Sequence, residues 1–449
     1  MFRTTSHCNH IMMHGLSLVA AVAALLLIRL DSSHALLANP IQKRASRLVA
    51  DPTFQPPDVT GMAETALLET AAKMQRVAVP VPQSIHPDGK VGISYVNWAA
   101  ASASGKRLRL PVVLIHGFDS SCLEYRRMGS RLAARGIDTY AVDLLGWGYT
   151  QLDGVSSFSA DAKVQALASW ATTVLGENAP FCIAGASLGG AAAIELAAMN
   201  PNCQGMVLLD AQGFVDGIGP MASMPKPIAK LGVQVLKSVA LRSLANQMSY
   251  FDKETFATDE AVVVGRMHCL RDGWSDALVS FMQSGGFSPS QKVPTIQAPS
   301  LVLWGRQDGI LDGSEFAPKF LEALPNARLQ WIEECGHVPH LEQPDVTVRW
   351  SLFVVDVELI TDGFFFIICS HETTCEMYYV VFYCRRTPSP TLYKTRYCEV
   401  RHQRDCPCPL LICSEWQGRR LWLPRRPPFC LFIRIATRVE RKATKTAAS

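Results

Sequence analysis

The chain has 449 residues, 48% of them hydrophobic and 18% charged, which is enough to bury a large core and more than one ordinary domain needs. Its formal net charge of +4, with no basic stripe interleaved with aromatics through the middle, argues against nucleic acid as a partner. Of the fourteen cysteines, Cys122, Cys182, Cys203, Cys269 and Cys335 stand singly, without metal-ligand or disulfide-framework spacing, and read as packed or free thiols.

Residues 1–35 run from Arg3 through the apolar stretch Ile11 to Ile28 into Ser33-His-Ala35, the layout of a secretory signal. The stretch 11–28 is nearly long enough to cross a bilayer, so an uncleaved membrane anchor is the competing reading. Lys43-Arg-Ala-Ser-Arg47, with Asp31 the only acid among the first fifty residues, offers a transit segment for a plastid or other organelle as the alternative address. Residues 36–85 then read as a linker, with several prolines and one short helical candidate from Met62 to Met74.

From residue 86 the pattern changes. Val91 to Trp98 predicts an edge strand, and Pro111-Val-Val-Leu-Ile115 a buried strand that ends in the glycine loop His116-Gly-Phe118. A helix around Tyr125 to Ala134 leads to a strand, Thr139 to Asp143, and a helix from Ala160 to Leu175 precedes the strand Phe181 to Ala184. Beyond it Gly185-Ala-Ser187-Leu-Gly189 makes a sharp turn into the helix-forming run Ala191 to Ala198, and Met206 to Asp210 is the next strand. Strands alternating with helices predict an α/β fold with a mostly parallel sheet covered on both faces. The rhythm stops at residues 213–297, where helical segments such as Ile228 to Leu244 and Asp259 to Cys269 suggest an inserted cap over the carboxyl edge of the sheet. It resumes with Ser300 to Trp304, Arg328 to Ile332 and a last helix from Pro344 to Val355. The core is thus expected at 86–212 and 298–355.

Residues 356–449 hold eight of the fourteen cysteines, several Arg-Arg pairs and no sustained period, and are expected to lie outside the fold. The intervals around Cys406-Pro-Cys408 match no paired-ligand pattern for zinc.

A serine in a Gly-x-Ser-x-Gly turn between strand and helix exposes its hydroxyl because its neighbours are small, and the helix start behind it favours developing negative charge. Such a hydroxyl needs a base, and the base needs a carboxylate to hold its tautomer. Asp308, just past one strand, and His337, just past the next, can fill those roles, with Asp210 and His340 the competing acid and base. The natural oxyanion donors are the backbone N–H groups of Leu188 and Phe118, with His116 bracing the loop. These roles call for no cofactor and no metal.

His116-Gly-Phe118, Asp143-Leu-Leu-Gly-Trp-Gly148, Gly185-Ala-Ser-Leu-Gly-Gly190, Gly305-Arg-Gln-Asp308 and Gly336-His-Val-Pro-His-Leu-Glu-Gln-Pro344 resemble, in order, the motifs of the α/β-hydrolase superfamily in its cap-bearing, esterase-like branch. The resemblance covers residues 86 to 355. It implies Ser187, Asp308 and His337 as triad without fixing the reaction, and the expected function is that of a serine hydrolase cleaving an ester or related acyl bond of a small, largely apolar substrate through an acyl-enzyme. C–C bond hydrolases, perhydrolases and small-molecule receptors share these motifs and are the alternatives.

Overall fold

In the computed structural model the chain divides into two units, Met1–Glu358 and Leu359–Ser449. The residues it describes are 51, 54–100 and 109–355, together with four strands in the second unit; the signal, anchor and transit readings lie outside them.

In the first unit, helix α1 (Thr65–Ala71) leads into β1 (Met74–Pro80), β2 (Lys90–Trp98), β3 (Val112–Ile115), α2 (Gly129–Ala133), β4 (Thr139–Val142), α3 (Ala160–Val174), β5 (Phe181–Ala186), α4 (Leu188–Met199) and β6 (Cys203–Leu209). Five helices follow before the sheet resumes: α5 (Lys226–Leu236), α6 (Val239–Ser249), α7 (Lys253–Phe256), α8 (Asp259–Arg266) and α9 (Trp274–Gln283). The chain then continues through β7 (Ser300–Gly305), α10 (Gly313–Ala323), β8 (Ala327–Ile332), α11 (Pro339–Glu342) and α12 (Pro344–Val355).

The eight strands form one sheet in the order β1-β2-β4-β3-β5-β6-β7-β8. β2 is antiparallel to both neighbours, and every pairing from β4 to β8 is parallel. This is the expected mostly parallel α/β architecture. The central strands are continuous apolar runs because both faces are covered. Val113, Ile115, Ile183 and Leu208 pack into one core with Ile194 and Leu196 of α4. Val112, Leu114, Ala184 and Leu209 pack into the other with Val348 and Val354 of α12.

Three expectations are corrected. Residues 36–85 are not all linker, and Val91 to Trp98 is not the edge: Met74–Pro80 forms the outermost strand, running Met74 against Val96 to Pro80 against Lys90. Only Met74, Val77 and Val79 of that strand are buried, so its half-apolar pattern is weak, and its closing proline is tolerated because it sits at a sheet edge. The predicted helix from Ile228 to Leu244 is two helices, broken where the Ser238 hydroxyl caps α6 by accepting from the Leu241 N–H at 3.3 Å.

In the second unit β9 (Phe365–Ser370), β10 (Met377–Arg386), β11 (Tyr393–Arg401) and β12 (Leu410–Ser414) form a separate antiparallel sheet in the order β12-β11-β10-β9. Among the described residues no helix is long and apolar enough to cross a membrane.

Candidate active site

Residues at the carboxyl ends of β3, β5, β6, β7 and β8 gather on one rim of the sheet. Among the described residues four that are not glycine have a left-handed backbone: Asp119 (φ 45°), Ser187 (52°), Asp210 (45°) and Glu334 (50°). Each follows a different one of those strands within a few residues. Such conformations cost about 1–3 kcal/mol each and persist where the surroundings over-determine them.

Ser187 sits between β5 and α4. A Cβ at Gly185 would stand 1.8 Å from the Gly189 carbonyl oxygen, and one at Gly190 would stand 2.3 Å from the Ala211 Cβ, so the small neighbours are a steric requirement of the turn. The serine backbone is pinned: its N–H donates to Leu209 O at 2.8 Å, and its carbonyl accepts from Gly190 and Gln212. The side chain is left to line a cavity of about 160 Å³.

His337 lines the same cavity. Its Nδ1 lies 2.8 Å from Oδ2 of Asp308, and both side chains are almost wholly buried. The other carboxylate oxygen of Asp308 accepts from the N–H groups of Ile310 and Leu311 at 2.8 and 3.1 Å. With Nδ1 engaged, Nε2 is the ring nitrogen available to a partner. Among the described residues no hydrogen bond joins Ser187 Oγ to His337, although both face one space. A bond of this kind is often long before substrate binds.

The competing residues have other partners. His340 Nε2 lies 2.8 Å from Glu124 Oε1. Burial alone would raise the Glu124 carboxyl, but His340 overcomes it and brings it down to about 2. Asp210 accepts from the Gly305 N–H at 2.7 Å. Burial, then the charge of Asp308, push its carboxyl well above the ordinary carboxylate range.

Phe118 lines the cavity with Ser187, and Leu188 follows Ser187 as the first residue of α4; neither backbone N–H has an acceptor among the described residues. His116 Nδ1 lies 2.8 Å from the Gly117 carbonyl oxygen, and its Nε2 accepts from the Leu144 N–H at 3.2 Å. Burial lowers its proton affinity, and a neutral ring with Nδ1–H fits both contacts; His116 braces the loop.

The charged groups around this loop carry little signal in the sequence. Asp119 and Glu124, with Arg126 and Arg242, line the cavity, and their only sequence signal is that three of them follow the His116-Gly-Phe118 loop within eight positions. Arg242 is paired with Asp119, and Arg126 with Glu64 at 2.7 Å, so the cations at the cavity wall are matched by carboxylates. Two sets, Asp119 with His268 and Cys269, and Asp210 with Asp308 and His337, bring ligand-type atoms within 4.8 Å of one another. Each of their carboxylates takes at least one N–H donor, from Trp274 Nε1 to Asp119, from the Gly305 amide to Asp210 and from the Ile310 amide to Asp308.

Residues 112–350 match the model of the alpha/beta hydrolase family. The chain is 32% identical over 300 residues to the alpha/beta hydrolase domain-containing protein VTE7 of Arabidopsis thaliana, covering 66% of this chain and 88% of the relative. It is 26% identical over 235 residues to a 2-hydroxy-6-oxononadienedioate/2-hydroxy-6-oxononatrienedioate hydrolase of Burkholderia vietnamiensis, covering 50% of this chain and 80% of that enzyme. In fold it is similar to a thermophilic esterase from Thermogutta terrifontis, with a TM-score of 0.50 at 21% identity over 62% of this chain and 99% of the esterase. A bacterial membrane phospholipase A gives a TM-score of 0.51 at 19% identity over 79% and 99% of the two chains.

Proposed function

The chain belongs to the alpha/beta hydrolase family, and from that premise we propose that it is a serine hydrolase of small, uncharged, largely apolar esters. The observation that carries the reading is the Asp308–His337 pair at 2.8 Å opening onto the cavity that Ser187 lines.

In this reading Ser187 Oγ attacks the ester carbonyl and gives its proton to His337 Nε2, while Asp308 holds the imidazole as the Nδ1–H tautomer and stabilises it when charged. The oxyanion is received by the N–H groups of Phe118 and Leu188, the latter aided by the start of α4. His337 then returns the proton to the departing alcohol. In the second half it draws a proton from a water that attacks the acyl carbon. It passes that proton to Ser187 Oγ as the bond from the acyl carbon to the serine breaks, which releases the acid and restores the free serine.

C–C bond hydrolysis is the second reading, because the Burkholderia relative is named for a dienedioate. A doubly anionic substrate asks for unpaired cations, and here the charged groups around the cavity are two carboxylates, Asp119 and Glu124, against two guanidinium groups, Arg126 and Arg242. That balance favours a neutral ester.

The test is a fluorophosphonate probe with a panel of p-nitrophenyl esters of graded chain length. Labelling at Ser187, lost in Ser187→Ala, together with turnover of the panel, is the expected result. Absence of labelling in folded protein, or full activity in Ser187→Ala, would overturn the proposal.

A further inference from the structure

Asp119 comes directly after Phe118, and its side chain is wholly buried. Its carboxylate is surrounded by groups from far along the chain. Trp274 Nε1–H donates to Oδ1 at 2.7 Å, His268 Nε2 lies 3.1 Å from the same oxygen, and Arg242 donates from Nη2 to Oδ2. The Cys269 thiol approaches Oδ2 at 3.7 Å. Arg242 reaches the backbone as well, donating from Nη1 to the Asp119 carbonyl at 3.1 Å.

All four partners belong to the insertion between β6 and β7. Arg242 is on α6, His268 and Cys269 are on the short turn Met267–Leu270, and Trp274 opens α9. The other end of the same loop is held by the core. Glu124 accepts from the Gly117 N–H at 3.2 Å, and His116 engages the Gly117 carbonyl. The segment from Gly117 to Asp119 is therefore stretched between two anchors, one in the core and one in the cap. Asp119 also holds a left-handed backbone, a conformation that aspartate tolerates and that sets the direction of the adjoining peptides.

We propose that Asp119 is a positioning residue that aligns the Phe118 N–H for the oxyanion, and that this alignment exists only while Arg242, His268 and Trp274 of the seated cap grip it. Asp119 touches no reacting atom. A cap that lifts strips a buried carboxylate of its partners, an unfavourable state, so the seated cap and the aligned loop form and dissolve together. Because the alignment matters most when negative charge develops on the substrate oxygen, losing it lowers kcat more than it raises KM.

The inference rests on the serine-hydrolase reading. The test uses the full chain and the variants Asp119→Asn and Trp274→Phe, each checked for folding by thermal melting. The readouts are kcat and KM on a p-nitrophenyl ester, affinity for a trifluoromethyl ketone that forms a tetrahedral oxyanion adduct, and affinity for an unreactive ether of the same shape. Removing one oxyanion donor outright lowers kcat by about 10²–10³-fold, so misaligning it in Asp119→Asn is expected to lower kcat by about tenfold to a hundredfold, with KM within about threefold. Ketone affinity should fall in step and ether affinity should hold. Trp274→Phe, which spares the Arg242 and His268 contacts, should move the same quantities in the same direction by less, and it carries the test if Asp119→Asn does not fold. Folded variants with unchanged kcat, or with a raised KM and unchanged kcat, would overturn the inference alone. A wild-type protein that neither reacts with fluorophosphonate nor turns over esters would overturn the serine-hydrolase reading and this inference with it.

Discussion

Asp308 Oδ2 and His337 Nδ1 meet at 2.8 Å across a separation of 29 residues. They meet because β7 and β8 run parallel in a register that sets Gly305 against Ile332, so the loops leaving both strands emerge on one rim. Asp308→Asn should keep that fold while offering an amide where the ring needs an acceptor. The expected loss in kcat is on the order of 10⁴-fold with little change in KM, read by steady-state kinetics against a melting curve like that of the wild type.

His337 and His340 lie three residues apart and are expected to behave oppositely. His337→Gln should stop rapid fluorophosphonate labelling of Ser187. His340→Gln should leave labelling measurable, because His340 is spent on Glu124, and should instead lower the melting temperature by loss of a buried contact. The comparison is a labelling time course on both variants.

Gly185→Ala forces a methyl group to within 1.8 Å of the Gly189 carbonyl oxygen and should destabilise the protein by about 3 kcal/mol or more, or prevent its recovery as soluble protein. Gly232, within α5, has nothing within 4 Å of its Cβ position. Gly232→Ala should therefore stabilise by up to about 1 kcal/mol. Denaturant melts of the two variants check both signs.

Stability should fall at both ends of the pH scale for reasons local to the cap and its loop. Burial alone would lower His268, but Cys269 and Asp119 lift it to about 9 from its usual 6.5. Its contribution is then complete below pH 6.5 and is lost as pH rises through about 9. Glu124 sits at about 2, below its usual 4.5, and its contribution is present above pH 4.5 and lost as pH falls towards 2. Asp119 acts in the same acid window: burial would raise it, yet Arg242 and His268 hold it well below its usual value. The melting temperature should drop by several degrees from pH 7 to 10, and His268→Gln should flatten that alkaline limb.

The fold, and the meeting of Asp308 with His337 beside the cavity that Ser187 lines, were legible because each was announced locally. Continuous apolar runs mark strands covered on both faces, and the small residues around Ser187 mark a turn that only small residues can make. Asp308 and His337 stood just past such strands. What was not legible was set at a distance. Asp119 looks like any polar loop residue, since its partners Arg242 and Trp274 lie 123 and 155 positions away, and no local preference reports which remote donor will arrive. β1 was missed for a different reason: a strand at the sheet edge needs to bury only part of its residues, so its pattern fades into that of a loop.

The insertion also meets the rim that carries Ser187 and His337 at a second place. The His337 N–H donates to the Ser249 carbonyl at 2.7 Å, and a Cβ on Gly336 would stand 2.4 Å from that same oxygen. Together with the grip on Asp119, this makes the segment from Arg242 to Trp274 an integral wall of the enzyme rather than an interchangeable accessory. Transplanting a foreign insertion onto this sheet to change selectivity would have to bring an arginine, an indole donor and a close-approaching main chain with it, and chimaeras that omit them should lose up to about 10²–10³-fold in kcat even when they fold.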